Sequence, residues 1–448
     1  MPDVVKRRSL GLPSSASERT LVVALCATTF LLWIGGSSIL PLLPSYLRQH
    51  GSTPGLIGLV MASYFAASVV TQFPAGRLSD RIGRRPVLVA GLVLFALGSI
   101  GFALTAGAGF AIVSRALQGV GAGAVTVASA ATIGSVVAVS ERGGSFGALY
   151  GSQMAALAVG PLVGSLIGAT SMRLLFVIGA VAAFVAVVPV ASFIPSRRSQ
   201  GVTVRVPARD GVRVEELEAL SGGAPGGLGL AGAPRGLTLS PAVVGVVFAF
   251  VATGGLVGVY EACWTLLLRL RGATTFDVGL SWTLFALPFA VLSLPAGRLA
   301  DRLDRRVLAL GGLIASAAFC SAYPFIHLVP LLVALGSLEA ACSVVGAPAA
   351  VLILTEATEA ETQGQAQGAI ETGRTAATAV SAVATGALFA VDPVIPFVLA
   401  ASCAVIACGF VAWLWRDVEG RSTTVATEAA QAAGHSVDTV GGESHRNP

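Results

Sequence analysis

The sequence predicts an all-α membrane protein whose twelve transmembrane helices form two pseudo-symmetric six-helix bundles. Three observations predict this class: a charge-poor composition, a succession of long apolar runs, and a charged motif that occurs twice at a fixed spacing.

Hydrophobic residues make up 54% of the 448, and charged residues 11%, against roughly 25% in soluble domains. Too few charges are available to cover a soluble globule, whereas helices facing lipid need no such cover. A spanning helix takes about 20 apolar residues, so twelve spans use roughly 240 and leave room for loops, a linker and a tail. Abundant Gly and Ala suit helices that pack closely in lipid. The cysteines (Cys26, Cys263, Cys320, Cys342, Cys403, Cys408) lie in apolar runs without CxxC spacing, as small buried hydrophobes do. Lys6 is the only lysine, so no P-loop ATPase is encoded, and energy for pumping must come from an ion gradient or the substrate's own. No metal or cofactor is expected.

Apolar runs recur at 21–47, 56–73, 87–105, 110–137, 146–169 and 174–194, and after a gap at 243–268, 278–294, 307–323, 328–354, 366–391 and 394–415. These are spans one to twelve. The first is too long for a signal-peptide core and reads as an uncleaved helix. Arginines crowd alternate connections: Arg77, Arg81, Arg84 and Arg85 after span two, Arg197 and Arg198 after span six, Arg298, Arg302, Arg305 and Arg306 after span eight. The positive-inside rule then puts both termini in the cytoplasm, in a multi-pass inner-membrane protein. The expected division is a cytoplasmic segment 1–20, a bundle 21–194, a charged then Gly-rich cytoplasmic linker 195–241, a second bundle 242–416 and a disordered tail 417–448.

The stretch from Pro74 to Arg85 (PAGRLSDRIGRR) returns from Pro295 to Arg306 (PAGRLADRLDRR), an offset of 221 residues. The same offset pairs Arg48 with Arg269, Gly51 with Gly272, Gly58 with Gly279 and Gly147 with Gly368. Two parallel six-helix halves place a substrate site between them, near the bilayer midplane, and alternate its access by rocking.

These residues carry a family resemblance. Gly76-x3-Asp80-Arg81-x-Gly83-Arg84-Arg85 resembles the loop signature of the major facilitator superfamily; in the second copy Asp301, Arg302, Arg305 and Arg306 remain and Asp304 replaces the glycine. Arg115-x-x-Gln118-Gly119-x-Gly121 resembles the family's span-four motif. Gly147-x8-Ala156-x3-Gly160-Pro161-x2-Gly164-Ser165 is similar to the span-five motif of drug:proton antiporters, with Ala156 and Ser165 in place of two glycines. The resemblance runs from about Leu21 to Trp415. It implies that Asp80 latches onto the start of span eleven in the outward-facing state, where a helix N-terminus favours an acid by about 0.3–1 kcal/mol. Arg81 and Arg84 would join that network; the bare alternative is that these arginines only set topology.

Small residues at every fourth position of span five (Ala156, Gly160, Gly164, Gly168) let its backbone approach a neighbour, and Pro161 removes a donor and bends it. Charges within spans cost on the order of 2.5–3.5 kcal/mol on insertion scales, so they face a cavity or a partner. Span four holds Arg115, span seven Glu261 and span ten Glu339. The family fold lines its central cavity with spans one, four, seven and ten, which implies that the three converge. The register pairs Gln118 with Glu339. A desolvated acid favours its neutral form, which makes Glu261 or Glu339 a candidate proton carrier, opposed by a nearby Arg115; a static ion pair between the halves is the alternative. Trp264 follows Glu261 by three residues and is expected on the same face, suited to a cationic or aromatic ligand or to anchoring at the lipid interface. Glu371 and Arg374 read as a local ion pair among the gating contacts at the start of span eleven. Span one offers Thr28, Thr29, Trp33, Ser37 and Ser38 but no carboxylate, so proton coupling is expected in the second half.

Gly143-Gly144-Ser145-Phe146-Gly147 fits the GxSxG pattern without a preceding strand, so no enzyme is read here. Basic charge follows topology rather than nucleic acid. The expected partners are the bilayer, protons and a small-molecule substrate, with the chain acting as a monomer. The expected function is proton-coupled efflux of an amphipathic compound; the alternatives are a proton symporter or uniporter for a metabolite, and a non-transporting receptor or scaffold.

Overall fold

The computed structural model describes residues 15–104, 107–137, 139–168, 170–195, 239–358 and 363–418. The segments 1–14 and 419–448, and nearly all of the 195–241 linker, lie outside them.

Among the described residues, eleven helices are long and apolar enough to cross a membrane. The first half supplies Ala16–Gln49, Pro54–Ile82, Arg84–Leu104, a fourth span on the helix Ala108–Val136, a fifth on Val139–Gly168, and Met172–Phe193. The second supplies Pro241–Leu270, an eighth on Thr275–Arg302, Arg305–Phe325, Val329–Ala357 and Ile395–Leu414. The predicted eleventh span is present as the helix Gln363–Phe389, but it is more polar than the others. Its polarity is spent inside the bundle, where Thr378 and Ser381 donate to the carbonyls of Gly254 (3.1 Å) and Gly255 (2.6 Å) on span seven. The apolar runs understate several helices because charged turns extend them: span two carries the motif to Ile82 and stops where Gly83 turns to φ 103°.

The repeat is written into local structure. Gly51 and Gly272 take φ of 83° and 82°, a region costly for any side chain. Thr53 and Thr274, two residues on, each cap the next helix by accepting from its third residue. Span one breaks into a turn at 40–42, and span seven widens into a π-helical turn, Tyr260–Trp264, at the corresponding place.

Close approaches of small residues set the packing. Gly160 and Gly164 of span five lie directly against Ser37 and Ser38 of span one, and Ser37 donates to the Ala156 carbonyl (3.0 Å). The helix runs on through Pro161 to Gly168. Gly119 and Gly123 seat span four on Tyr64 and Ser68 of span two, while Gly121 meets Gly91 of span three.

Contacts between the halves gather at the end away from the motif loops. There Gly58 packs on Ala382 and Gly386, Gly279 packs on Pro161 and Ser165, and Thr265 donates to the Pro41 carbonyl (2.7 Å). At the motif end Asp80 keeps 66% of its side chain exposed. The closest described approaches between the halves thus lie at one end of the bundle.

Candidate functional site

A central cavity of about 260 Å³ lies between the halves. The first half contributes Trp33, Ser37, Tyr64 and Arg115 to its wall, and the second Glu261, Trp282, Phe285 and Arg374. Arg115 is 1% exposed, with its guanidinium 4.6 Å over the Tyr64 ring and Nη1 donating to Gln118 Oε1 (2.9 Å). Gln118 in turn donates to Ser99 Oγ (2.9 Å), which fixes its amide with the oxygen toward Arg115. Nε and Nη2 of Arg115 have no hydrogen-bond partner. Glu261 is 8% exposed, and its Oε2 is likewise unpartnered. No ion pair joins the two among the described contacts, although both belong to this cavity and each lies within the other's electrostatic field. Buried polar groups are nearly always satisfied, so this cavity offers an acceptor and two donors to whatever enters it.

The convergence expected from the sequence is therefore partial. Arg115, Gln118 and Glu261 do meet. Glu339 is 2% exposed but lies within the second half, where Tyr260 donates to Oε1 (2.9 Å) and Tyr323 to Oε2 (2.5 Å). It lines a cavity of about 70 Å³ that adjoins the central one, with Trp264, Ser281 and Trp282 in the wall. Trp264 also departs from expectation. The π-helical turn carries about one more residue per turn than an α-helix, so residues three apart no longer align. Glu261 faces the central cavity, while Trp264 turns to Ser281 (Nε1 to Oγ, 3.1 Å), to Tyr323 (ring centroids 4.9 Å) and to the Glu339 cavity. Trp264 is buried in the core rather than anchored at a lipid interface.

The motif loops differ between the halves. In the first, Asp80 pairs with Arg84 (2.7 Å), Arg84 also donates to Ser79, Gly76 lies against Val127, Arg81 is exposed and Arg85 half-buried. In this conformation Asp80 is engaged next to its own helix rather than on span eleven. In the second, Arg305 is buried against Glu356 of span ten (2.5 Å). Arg306 binds Asp304 (2.9 Å) and donates to the Trp415 carbonyl (3.3 Å). Asp304 caps the next helix by accepting from Arg306 N (2.9 Å), and that residue's side chain holds its carboxyl below the usual aspartate range. Arg302 is exposed, and the side chain of Asp301 lies outside the described residues. Glu371 and Arg374 form the local pair read from the sequence (2.7 Å), and Arg374 adds a charge to the cavity wall.

Sequence reasoning missed Tyr64, Tyr260, Tyr323 and Glu356. The chain has only 5 tyrosines, and their placement within spans was the available signal for three of these.

Two repeated helical bundles that close at one end around a buried charged cavity define the class of membrane carriers called secondary transporters. Residues 25–262, and again 243–441, match the Major Facilitator Superfamily, and the chain belongs to that family. It is similar to a chloramphenicol resistance protein of Pseudomonas aeruginosa, at 35% identity over 33% of this chain and 35% of that one. It is also similar to Multidrug resistance protein 2 of Bacillus subtilis, at 26% identity over 38% and 43%. The chain thus matches well under half the length of these relatives. Among solved structures it resembles a D-xylose-proton symporter (TM-score 0.65, 17% identity, 88% of this chain and 96% of that one). A bacterial homologue of the lysosomal transporter Spinster, solved inward-facing, aligns with TM-score 0.67 at 13% identity over 90% and 98%. These two likenesses concern the fold.

Proposed function

We propose that this transporter exports a small amphipathic compound in exchange for protons, with Glu261 as the proton-carrying group and Arg115 as the fixed charge that faces it. The observation that carries the reading is the pair of unsatisfied buried groups, Arg115 and Glu261, in one cavity built by both halves. A substrate and a proton would compete for that acceptor, which is how exchange is coupled. The resistance proteins among the relatives support efflux. The arginine bias supports a cytoplasmic motif end and cytoplasmic termini in an inner membrane, so the present conformation is inward-open and the 195–241 linker is a cytoplasmic tether. On this reading the chain is a carrier rather than an enzyme, works as a monomer and needs no cofactor.

The test is transport in vesicles of purified protein with an imposed proton gradient, following internal pH and a labelled candidate, chloramphenicol first. Uphill movement against the proton flux, lost in Glu261→Gln, is the expected result. Movement in the same direction as protons would make it a symporter, gradient-independent movement a uniporter, and full coupling in Glu261→Gln would remove the proton role.

A further inference from the structure

The Glu339 cavity becomes legible when the halves are compared position by position. At the 221-residue offset, Ile39, Leu43, Met61 and Phe102 of the first half correspond to Tyr260, Trp264, Trp282 and Tyr323 of the second. The first four are fully buried core residues that belong to one apolar cluster. Their counterparts are larger or more polar, yet they surround a cavity. The space has one origin. Arg115 corresponds to Gly336, Gln118 to Glu339 and Tyr64 to Phe285. Where the first half holds a guanidinium against Gln118 Oε1 and over the Tyr64 ring, the second has a glycine, a carboxylate and a Phe ring. A Cβ at Gly336 would meet nothing nearer than Trp264 and Tyr323, both at 4.0 Å.

We propose that this cavity binds the head of a small organic cation, a guanidinium or ammonium, seated where the first half seats the side chain of Arg115. The carboxylate supplies the counter-charge and a charge-assisted hydrogen bond. The rings of Tyr260, Trp264, Phe285 and Tyr323 supply the electron-rich faces that cations prefer. The two tyrosine hydroxyls donate to Glu339 and hold it in place, leaving acceptor capacity on each oxygen. Val257, Trp282 and Phe285 line both this cavity and the central one, so the two adjoin across these side chains. The buried Trp282 Nε1 has no partner and is a donor available to an oxygen on the ligand. The inference rests on the transporter reading for its purpose, since it names the substrate class; binding itself needs no gradient, so the two fail separately.

The experiment is calorimetric titration of the full chain in lipid nanodiscs with phenylguanidinium and with phenylurea, its neutral counterpart in shape. Phenylguanidinium is expected to bind, and phenylurea to bind at least about tenfold more weakly, because it lacks the charge that both interactions use. Glu339→Gln, nearly isosteric, is expected to weaken the cation by a similar factor while Asp304→Asn, in the wall of neither cavity, leaves its affinity unchanged. Gly336→Arg, which restores the first-half arrangement, is expected to abolish binding with the thermal midpoint retained. Should Gly336→Arg not fold, Glu339→Gln decides alone. Failure of the wild type to bind, equal affinity for the urea, or loss on Glu261→Gln with Glu339→Gln unaffected overturns the proposal.

Discussion

The two halves share a backbone plan down to the turns at Gly51 and Gly272 and the threonine caps that follow them, yet their matched positions do opposite things. In the first, Arg115 fills its own space and leans on Gln118; in the second, Gly336 leaves that space open beside Glu339. The motif loops diverge in the same way. Asp80 and Arg84 pair near the surface, with 66% of the Asp80 side chain exposed, whereas Arg305 is 5% exposed and tied to span ten through Glu356. Repetition fixed the scaffold and left the side chains free to specialise. The first half carries a fixed cation and a loosely held loop, and the second carries the carboxylates and a clamped loop.

Substitutions that push on one half and spare its counterpart test this division. The largest effect is expected where span five meets span one. Gly164→Val would drive a side chain into the Ser38 backbone and should cost about 1–3 kcal/mol or prevent folding. Gly151→Ala, on the same helix with open space around it, should change stability by less than about 0.5 kcal/mol. Thermal unfolding in nanodiscs measures both. Next is Glu356→Gln, which removes the charge that pairs with Arg305. Breaking a fully buried pair costs about 3–5 kcal/mol; half-exposure of Glu356 reduces the expectation to about 1–2 kcal/mol. The first-half change Asp80→Asn should cost under about 0.5 kcal/mol while shifting the balance between open and closed states. Equal losses in the two would erase the contrast between clamped and loose loops. The smallest effect is that of Asp304→Asn, under about 1 kcal/mol at neutral pH. Because the folded carboxyl titrates below its unfolded value, the stabilisation is present above that value. It is lost as pH falls below about 3.9 and through the folded value, so mutant and wild type should converge in acid.

The fold was legible because lipid imposes long apolar helices and because the offset survives without gaps from Arg48 to Gly147. The central pair was legible for a related reason: an arginine or glutamate within a span needs a cavity or a partner, and Arg115 and Glu261 found the same one. Glu339 was placed in the wrong cavity because its surroundings depend on an absence, the side chain missing at Gly336, which no charge pattern reveals. Trp264 was assigned the wrong face because a π-helical turn has no signature in residue spacing. Span eleven appeared apolar in outline, but its threonines and serines are used on neighbouring carbonyls, which only packing shows. Glu356 went unread because only the fold brings Arg305 to it.

Alternating access requires the closed end to part during each cycle, and one cross-link tests this directly. Gly55 of span two faces Ala387 of span eleven, with a Cβ at Gly55 falling 3.7 Å from the Ala387 Cα, within reach of a disulfide. In a background with the native cysteines replaced, Gly55→Cys with Ala387→Cys should transport when reduced, stop when oxidised, and recover on reduction. Full transport with the disulfide formed would show that spans two and eleven stay together throughout, and would contradict rocking of the two halves about the Arg115–Glu261 cavity.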